Sequence, residues 1–438
     1  MKKITVIGTG YVGLVSGSGL ADFGNIVVCV DLNEKRIKDL SIGKVPFFEP
    51  GLIELVERNK EAGRLDFNTN IEESISDADV VFIAVWTPMA SDGSADLTSV
   101  TDVAKTIANN ISSYTVIATK STVPIGTGQM IKNVISENIT ENIPYDVVSN
   151  PEFLREGAAV RDFLMPDRVV LGTNSEQATE VMKEIYRPLY VNETPFIITD
   201  VPTAETIKYA SNSFLAVKIS YINELANLCD TTGADIHVIA RAMGLDGRIS
   251  PKFLHPGPGF GGSCFPKDTR ALIKSAELNG MSLKVVEAAI RANQAQLEVI
   301  LKKLIKLIGN NLSGKRIAVL GLAFKANTDD IRESRAVILI NQLLSYGAEV
   351  IAYDPVAMGN MKKDYPTLNY AESVEDAAKN AHAIVIMTDW NEFRGLDLYG
   401  IGELMRDKII LDAKNLLSRE ELASNGFIFE GVGRPYEY

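Results

Sequence analysis

The chain opens with KITVIGTG, a β-branched stretch that stops on glycine, and continues as Gly8-Thr9-Gly10-Tyr11-Val12-Gly13 into a helix-compatible segment. A β-branched run fits a pleated strand, and glycines at this spacing suit a tight turn that opens a helix. Gly8 makes the turn, Gly10 lets backbone approach a pyrophosphate, and Gly13 allows the helix to pack closely on the strand. The amides of the helix N-terminus then face negative charge. A second apolar run, Ile26 to Val30, ends at Asp31 and completes a βαβ unit. A carboxylate there accepts hydrogen bonds from both ribose hydroxyls and repels a 2′-phosphate. The expectation is a dinucleotide site that takes NAD rather than NADP, set against a structural βαβ turn with no ligand. Arg36 is either a flank of the adenosine or a solvated helix residue.

Further short apolar runs follow at 79–85 (DVVFIAV), 114–118, 146–149 and 169–172, with helical patterns between them. Strands alternating with helices imply a parallel, doubly wound sheet. From 203 to 308 the character turns helical, with Ala204 to Leu228 and Leu283 to Ile308 holding few breakers. At 316 the alternation restarts with RIAVLGLAFK, then EVIAYDP, HAIVIMTDW and KIILDAKN. The expected fold class is therefore α/β, with two Rossmann-like doubly wound domains joined by a helical segment.

With 438 residues and 46% hydrophobic content, the chain has material for separate cores. A formal charge of -12, without any long basic block, argues against sequence-independent nucleic-acid binding. No apolar run is long enough for a membrane span, and no cleavage site follows the N-terminal apolar run, so a cytoplasmic protein is expected. Cys29, Cys229 and Cys264 are too few and too scattered for a disulfide framework, which fits a reducing compartment. His237, His255 and His382 are equally scattered, and no metal is expected.

The segment Gly259-Phe260-Gly261-Gly262-Ser263-Cys264-Phe265-Pro266-Lys267-Asp268 places a thiol among glycines, with a cation and a carboxylate just beyond. Glycines let backbone and substrate approach the sulfur, and a nearby ammonium favours the thiolate. The bland alternative is a glycine-rich turn around a buried thiol; Cys29 and Cys229 read as core residues. Lys208 and Asn212 fall four apart in ETIKYASNSFLA, so they share a helix face and can aim donors at one oxygen, unless Lys208 is merely solvated. Glu152 and Glu156 in NPEFLREG are either an exposed helix start or a general base beside a water. Strand ends on one edge of a doubly wound sheet converge at the ligand crevice, so Thr87, Thr122, Glu152 and Glu156 are expected to face one site. A thiol in an NAD enzyme attacks an aldehyde to give a thiohemiacetal, whose oxidation yields a thioester for water to hydrolyse.

These residues resemble the UDP-glucose/GDP-mannose dehydrogenase family across nearly the whole chain. The markers are VIGTGYVGL at 6–14, FFEPGL at 47–52, KSTVP at 120–124, NPEFLREG at 150–157, Lys208 with Asn212, GFGGSCFPKD at 259–268 and GLAFKANTDDIRES at 321–334. The resemblance implies an NAD-binding domain over 1–202, a helical dimerisation domain carrying the cysteine loop over 203–308, and a nucleotide-sugar domain over 309–438. It implies oxidation of a sugar C6 alcohol to a carboxylate in two NAD-dependent steps, with a homodimer or higher homo-oligomer as the working form. Cys264 is then the nucleophile and Lys208 the oxyanion stabiliser, Asn212 assists with a water, and Asp268 orients or activates water. Glu152, Glu156 and Thr122 serve acid/base and water-positioning roles, with the base for thioester hydrolysis left open among the carboxylates.

By the same resemblance Tyr11, Val12, Thr87, Thr122, Glu156, Lys267 and Arg332 join the cofactor set. Glu152, Phe153, Leu154, Arg155, Lys208, Asn212, Phe253, Leu254, His255, Pro256, Gly257 and Gly261 bind the nucleotide sugar. Phe324 and Lys325 contact the uridine diphosphate, and Arg248 reaches a partner's substrate. Trp86 and Lys414 depart from the family's usual pattern, where a small or polar residue and an arginine are common. The phenylalanines of the cysteine loop favour UDP-glucose. The alternatives are another nucleotide sugar (GDP-mannose or a UDP-N-acetylhexosamine) or a catalytically inactive NAD-binding regulatory protein.

Overall fold

The computed structural model describes residues 1–90 and 92–435. The chain divides into two compact units: Met1–Ser211 with Arg270–Met281, and Asn212–Thr269 with the residues from Ser282 onward. The first unit holds an eight-stranded sheet made of β1 (Lys3–Ile7), β2 (Ile26–Val30), β3 (Leu65–Asn68), β4 (Val80–Ile83), β5 (Thr115–Thr119), β6 (Tyr145–Ser149), β7 (Val169–Gly172) and β8 (Phe196–Thr199). Their spatial order is β3-β2-β1-β4-β5-β6-β7-β8. Because side chains alternate across a strand, Val80 and Phe82 join one core while Val81 and Ile83 join the other. Both faces of the sheet's centre are covered, so β4 (VVFI) is apolar and buried throughout rather than alternating.

One expectation fails in part. The sheet is parallel except that β7 runs antiparallel to β6, meeting it through Ser149 and Gly172. VVLG reads like the other buried strands because an apolar run encodes burial and not direction. Strands β3 and β8 also went unread: LDFN is short and half polar, and FIIT has an intermediate-exposed-exposed-intermediate pattern.

The second unit holds a six-stranded sheet of β9 (Arg316–Leu320), β10 (Glu349–Tyr353), β11 (Asn369–Tyr370), β12 (Ala383–Ile386), β13 (Ile409–Asp412) and β14 (Ile428–Glu430). The order β11-β10-β9-β12-β13-β14 repeats the wiring of the first six strands of the other sheet, and every pairing is parallel. Leu297, Ile300 and Leu304 from the helix Lys284–Ile308 bury into one of its faces beside Ile222 and Ala226. Each fully buried aliphatic side chain of this kind contributes about 1.5–3 kcal/mol, so Leu304→Ala removes a contact the helix depends on. Gly309, with φ of 89°, ends that helix in the left-handed region where glycine is unstrained. Just beyond β10, buried Asp354 accepts hydrogen bonds from the N–H groups of Leu322 (2.7 Å), Ala323 (3.1 Å) and Ala357 (2.8 Å) and from the Trp390 indole (3.1 Å).

Among the described residues no helix is long and apolar enough to cross a membrane.

Candidate active site

β1 runs into its helix, Tyr11–Asp22, through Gly8, whose φ of 103° is closed to a residue with a side chain. A Cβ at Gly13 would strike the Gly8 carbonyl oxygen, so this glycine holds the helix against the turn. At Gly10 a Cβ would meet nothing within 4 Å, which leaves the space above it open for a ligand. Beyond β2, Asp31 Oδ2 accepts from the Thr9 N–H (2.9 Å) and hydroxyl (2.7 Å), and Oδ1 accepts from the Asn33 N–H (3.0 Å). Arg36 Nη1 stands 3.3 Å from the same carboxylate, so it is held at the turn rather than free in solvent. Burial pushes the Asp31 carboxyl up, but these hydrogen bonds and the Arg36 charge outweigh it and hold the group below its ordinary value. An ionised carboxylate beside an open glycine turn fits the ribose and pyrophosphate of NAD.

The strand ends carry the next layer. Thr87, buried after β4, donates to the Thr122 carbonyl at 3.0 Å and joins the loops that follow β4 and β5. Glu152 is 5% exposed, and its Oε1 pairs with Lys208 Nζ at 2.8 Å. Neither a solvated Lys208 nor an exposed helix start at Glu152 survives this burial: residues 151–155 form a loop, not a helix. Removing either member of such a buried pair leaves the other as an uncompensated charge, which is strongly destabilising. The Phe153 ring lies 5.4 Å from the Lys208 ammonium and 3.5 Å from the Arg168 guanidinium. Behind them Lys120 donates to Asn150 Oδ1 and contacts the Tyr186 hydroxyl, both at 3.2 Å. Burial, with Lys208 nearby and Glu152 opposing, pushes Lys120 down to about 8. Arg155, by contrast, is clamped on Asp162 at the surface.

In the second unit Cys264 directly precedes the helix Phe265–Leu278, and its carbonyl accepts the Asp268 N–H at 2.8 Å. The thiol thus stands at a helix N-terminus, where the dipole favours negative charge. Asp268 is fully buried: Oδ2 accepts from Asn212 Nδ2 at 2.6 Å and Oδ1 from Lys267 Nζ at 2.7 Å. Lys267 therefore spends its charge on Asp268, whatever else it meets. Lys208 and Asn212 both lie on the helix Val201–Thr232.

The glycines of this loop have a different cause from the one expected. A Cβ at Gly259 would reach the Asn293 amide (2.5 Å), one at Gly261 would strike the Glu333 carbonyl, and one at Gly262 would enter the Phe324 ring (2.7 Å). They make room for the chain's own atoms. Gly257 is pinned by the Asn223 and Gln296 side chains (2.8 and 3.0 Å). Leu254 and Pro256 are buried, His255 is exposed, and Phe253 has a φ of 66°. Lys325 Nζ lies 5.4 Å from the Phe324 ring centre. Arg332 pairs with Asp330, Arg248 with Asp246, and Lys414 with Asp389. Arg248 is 89% exposed at its side chain, and Trp86 is 56% exposed.

Sequence reasoning passed over Glu205. It is buried and accepts the N–H groups of Gly126 (2.6 Å) and Gly128 (2.7 Å), which fixes the loop beyond Thr122 to the helix that carries Lys208. The only signal in the sequence was its place one turn before Lys208.

The fold and the Asp31 turn define a class: an α/β protein with a Rossmann-type, NAD-binding N-terminal domain and a second sheet of the same wiring. The chain matches the NAD binding, central and UDP binding domains of one family over residues 2–190, 202–295 and 318–419. It belongs to the UDP-glucose/GDP-mannose dehydrogenase family. It is 48% identical to a UDP-glucose 6-dehydrogenase of Rhizobium meliloti (strain 1021), over 99% of this chain and 100% of the relative. A solved UDP-glucose dehydrogenase from the archaeon Pyrobaculum islandicum superposes with a TM-score of 0.92 at 37% identity, covering 99% of this chain and 98% of that one. A UDP-D-ManNAc dehydrogenase from Pyrococcus horikoshii is also similar, with a TM-score of 0.87 at 28% identity over 98% and 99% of the two chains.

Proposed function

We propose that the chain oxidises the C6 alcohol of UDP-glucose to a carboxylate, giving UDP-glucuronate, in two NAD-dependent steps, with Cys264 holding the aldehyde between them. The observation that carries this reading is a thiol at the head of a helix whose first turn presents the buried Asp268–Asn212–Lys267 cluster. Full-length identity of 48% to a UDP-glucose 6-dehydrogenase, against 28% to a UDP-D-ManNAc dehydrogenase, supports glucose over an N-acetylated sugar. Cys264, Lys208 and Asp268 are all present, which speaks against an inactive regulatory protein.

When bound, NAD supplies the hydride acceptor for both oxidations. Gly8, Gly10, Gly13, Tyr11, Val12, Asp31 and Arg36 seat it in this reading, with Thr87, Thr122, Glu156, Lys267 and Arg332 completing its contacts. The Cys264 thiolate adds to the aldehyde carbon, forming a C–S bond and a thiohemiacetal whose oxygen is stabilised by Lys208 and Asn212. Loss of hydride from C6 leaves a thioester. Water oriented by Asp268, with Glu152, Glu156 and Thr122 as acid/base and positioning groups, then breaks the C–S bond, returning the thiol and releasing the carboxylate. Lys325 and Arg248 answer the diphosphate charge, which is how a chain of net charge -12 holds an anionic substrate. The division into 1–202, 203–308 and 309–438 belongs to this reading.

A cytoplasmic homodimer or higher homo-oligomer is its working form. Phe214, Tyr221 and Leu228 recur at a seven-residue interval on the helix Val201–Thr232 and are 64%, 50% and 56% exposed, which supports a partner against that stripe. A steady-state assay tests the function. Two NADH per UDP-glucose consumed is expected, and one NADH with released aldehyde, or no turnover with any nucleotide sugar, would overturn it.

A further inference from the structure

FFEPGL at 47–52 carries no role in the reading above, yet its glutamate is among the most tightly held groups in the first unit. Glu49 is 6% exposed. Its Oε2 accepts from the Tyr11 hydroxyl and, at 2.6 Å, from the Gly157 N–H, while its Oε1 accepts from the Ala159 N–H at 2.7 Å. The Phe47 ring packs on Tyr11 with centroids 5.0 Å apart. The Arg155 carbonyl lies 3.5 Å from the same hydroxyl. Burying a carboxylate is costly unless its oxygens are bonded, and here three donors from two separate segments, Tyr11 and 157–159, meet it.

Two of those donors have a local explanation. Gly157 and Ala159 stand at the start of the helix Ala159–Leu164, and an acceptor there satisfies amides that the helix leaves unpaired. The Tyr11 leg has no such purpose. Tyr11 is the first residue of the helix that opens on the glycine turn, and Gly157 directly follows Glu156. Burial and the bond to the Glu49 carboxylate push the Tyr11 hydroxyl up, so it stays protonated and donating.

We infer that Glu49 is a positioning residue that couples the dinucleotide turn at Gly8–Gly13 to the loop bearing Glu152 and Glu156. Seating a dinucleotide on the turn and setting the carboxylates of the loop are then one event. This rests on the NAD-linked reading of the site.

Calorimetric titration of NAD into the full-length chain, beside steady-state kinetics with UDP-glucose, tests it. Tyr11→Phe leaves both amide bonds of Glu49 in place, and is expected to weaken NAD binding and lower kcat at saturating NAD by about 3- to 10-fold each. Glu49→Gln keeps the shape but turns an amide N–H toward a donor, so its losses equal or exceed those of Tyr11→Phe. The double variant should be no worse than Glu49→Gln alone, because the tyrosine acts through the glutamate. Additive losses, or unchanged NAD affinity with only a lowered melting temperature, overturn the coupling. If Glu49→Gln does not fold, Tyr11→Phe decides: a kcat that stays at the parent value overturns it, since a purely local contact to NAD would change binding alone. A parent chain that binds NAD but oxidises no nucleotide sugar sinks the proposed function while the binding arms still read the coupling. A parent that binds no NAD overturns both.

Discussion

Cys264 and Asp268 are one turn apart on the same helix start, and the thiol and the carboxylate differ in how they are held: Asp268 is fully buried and doubly bonded, Cys264 partly exposed. The proposed mechanism asks for this contrast, because a nucleophile needs access and its helper needs fixity. Cys264→Ser is therefore expected to abolish turnover while calorimetry still detects NAD binding; undiminished activity would remove the covalent mechanism. Glu205 makes a separate prediction about stability. Burial pushes its carboxyl up from 4.5 to about 7, despite the two backbone donors that oppose the shift. Between those values the folded chain keeps a proton that the unfolded chain has released, so this group lowers the unfolding free energy as pH rises through the window. Glu205→Gln should flatten that part of the curve, measured by denaturant titration from pH 4.5 to 7.5, and an unchanged slope would show that the group titrates elsewhere. Residue types at the site were legible because Cys264, Lys208 and Asn212 carry chemistry in their spacing. Burial was not, because Glu152 sits in a loop with no periodicity to reveal it.

Elements built on the glycine turn separate a folding role from a binding role. Gly13→Ala places a methyl on the Gly8 carbonyl, backbone that cannot swing away, and should lower the melting temperature by several degrees, on the order of 1–3 kcal/mol of overpacking. Gly10→Ala meets no protein atom, so its stability should be near the parent's while NAD affinity falls at least tenfold by titration. Equal effects at the two positions would contradict the assignment. The turn itself was readable because strand, glycines and Asp31 agree at every level. The direction of β7 was not, and neither was the reason for Gly259, Gly261 and Gly262, whose crowding neighbours Asn293, Glu333 and Phe324 are distant in sequence.

At the scale of the whole molecule, two sheets of one wiring were visible as an alternation that stops near 203 and restarts at 316. The exposed stripe of Phe214, Tyr221 and Leu228 was hidden, because an apolar helix face looks the same whether its cover comes from the same chain or another. Phe214→Asp combined with Leu228→Asp is expected to shift the sedimentation coefficient toward that of a monomer, and an unaltered assembly would place the interface elsewhere. The repeated wiring also poses a problem of sorting, since each sheet offers a crevice suited to a nucleotide. Asp31 and Asp354 stand at matching strand ends, but Asp354 is 1% exposed and already saturated by amides and an indole. It has nothing left to offer an adenosine ribose. The coenzyme should accordingly saturate at one equivalent per chain by calorimetry, and excess NAD should not act as a competitive inhibitor of the sugar nucleotide, so that rising coenzyme never starves the enzyme of its other substrate.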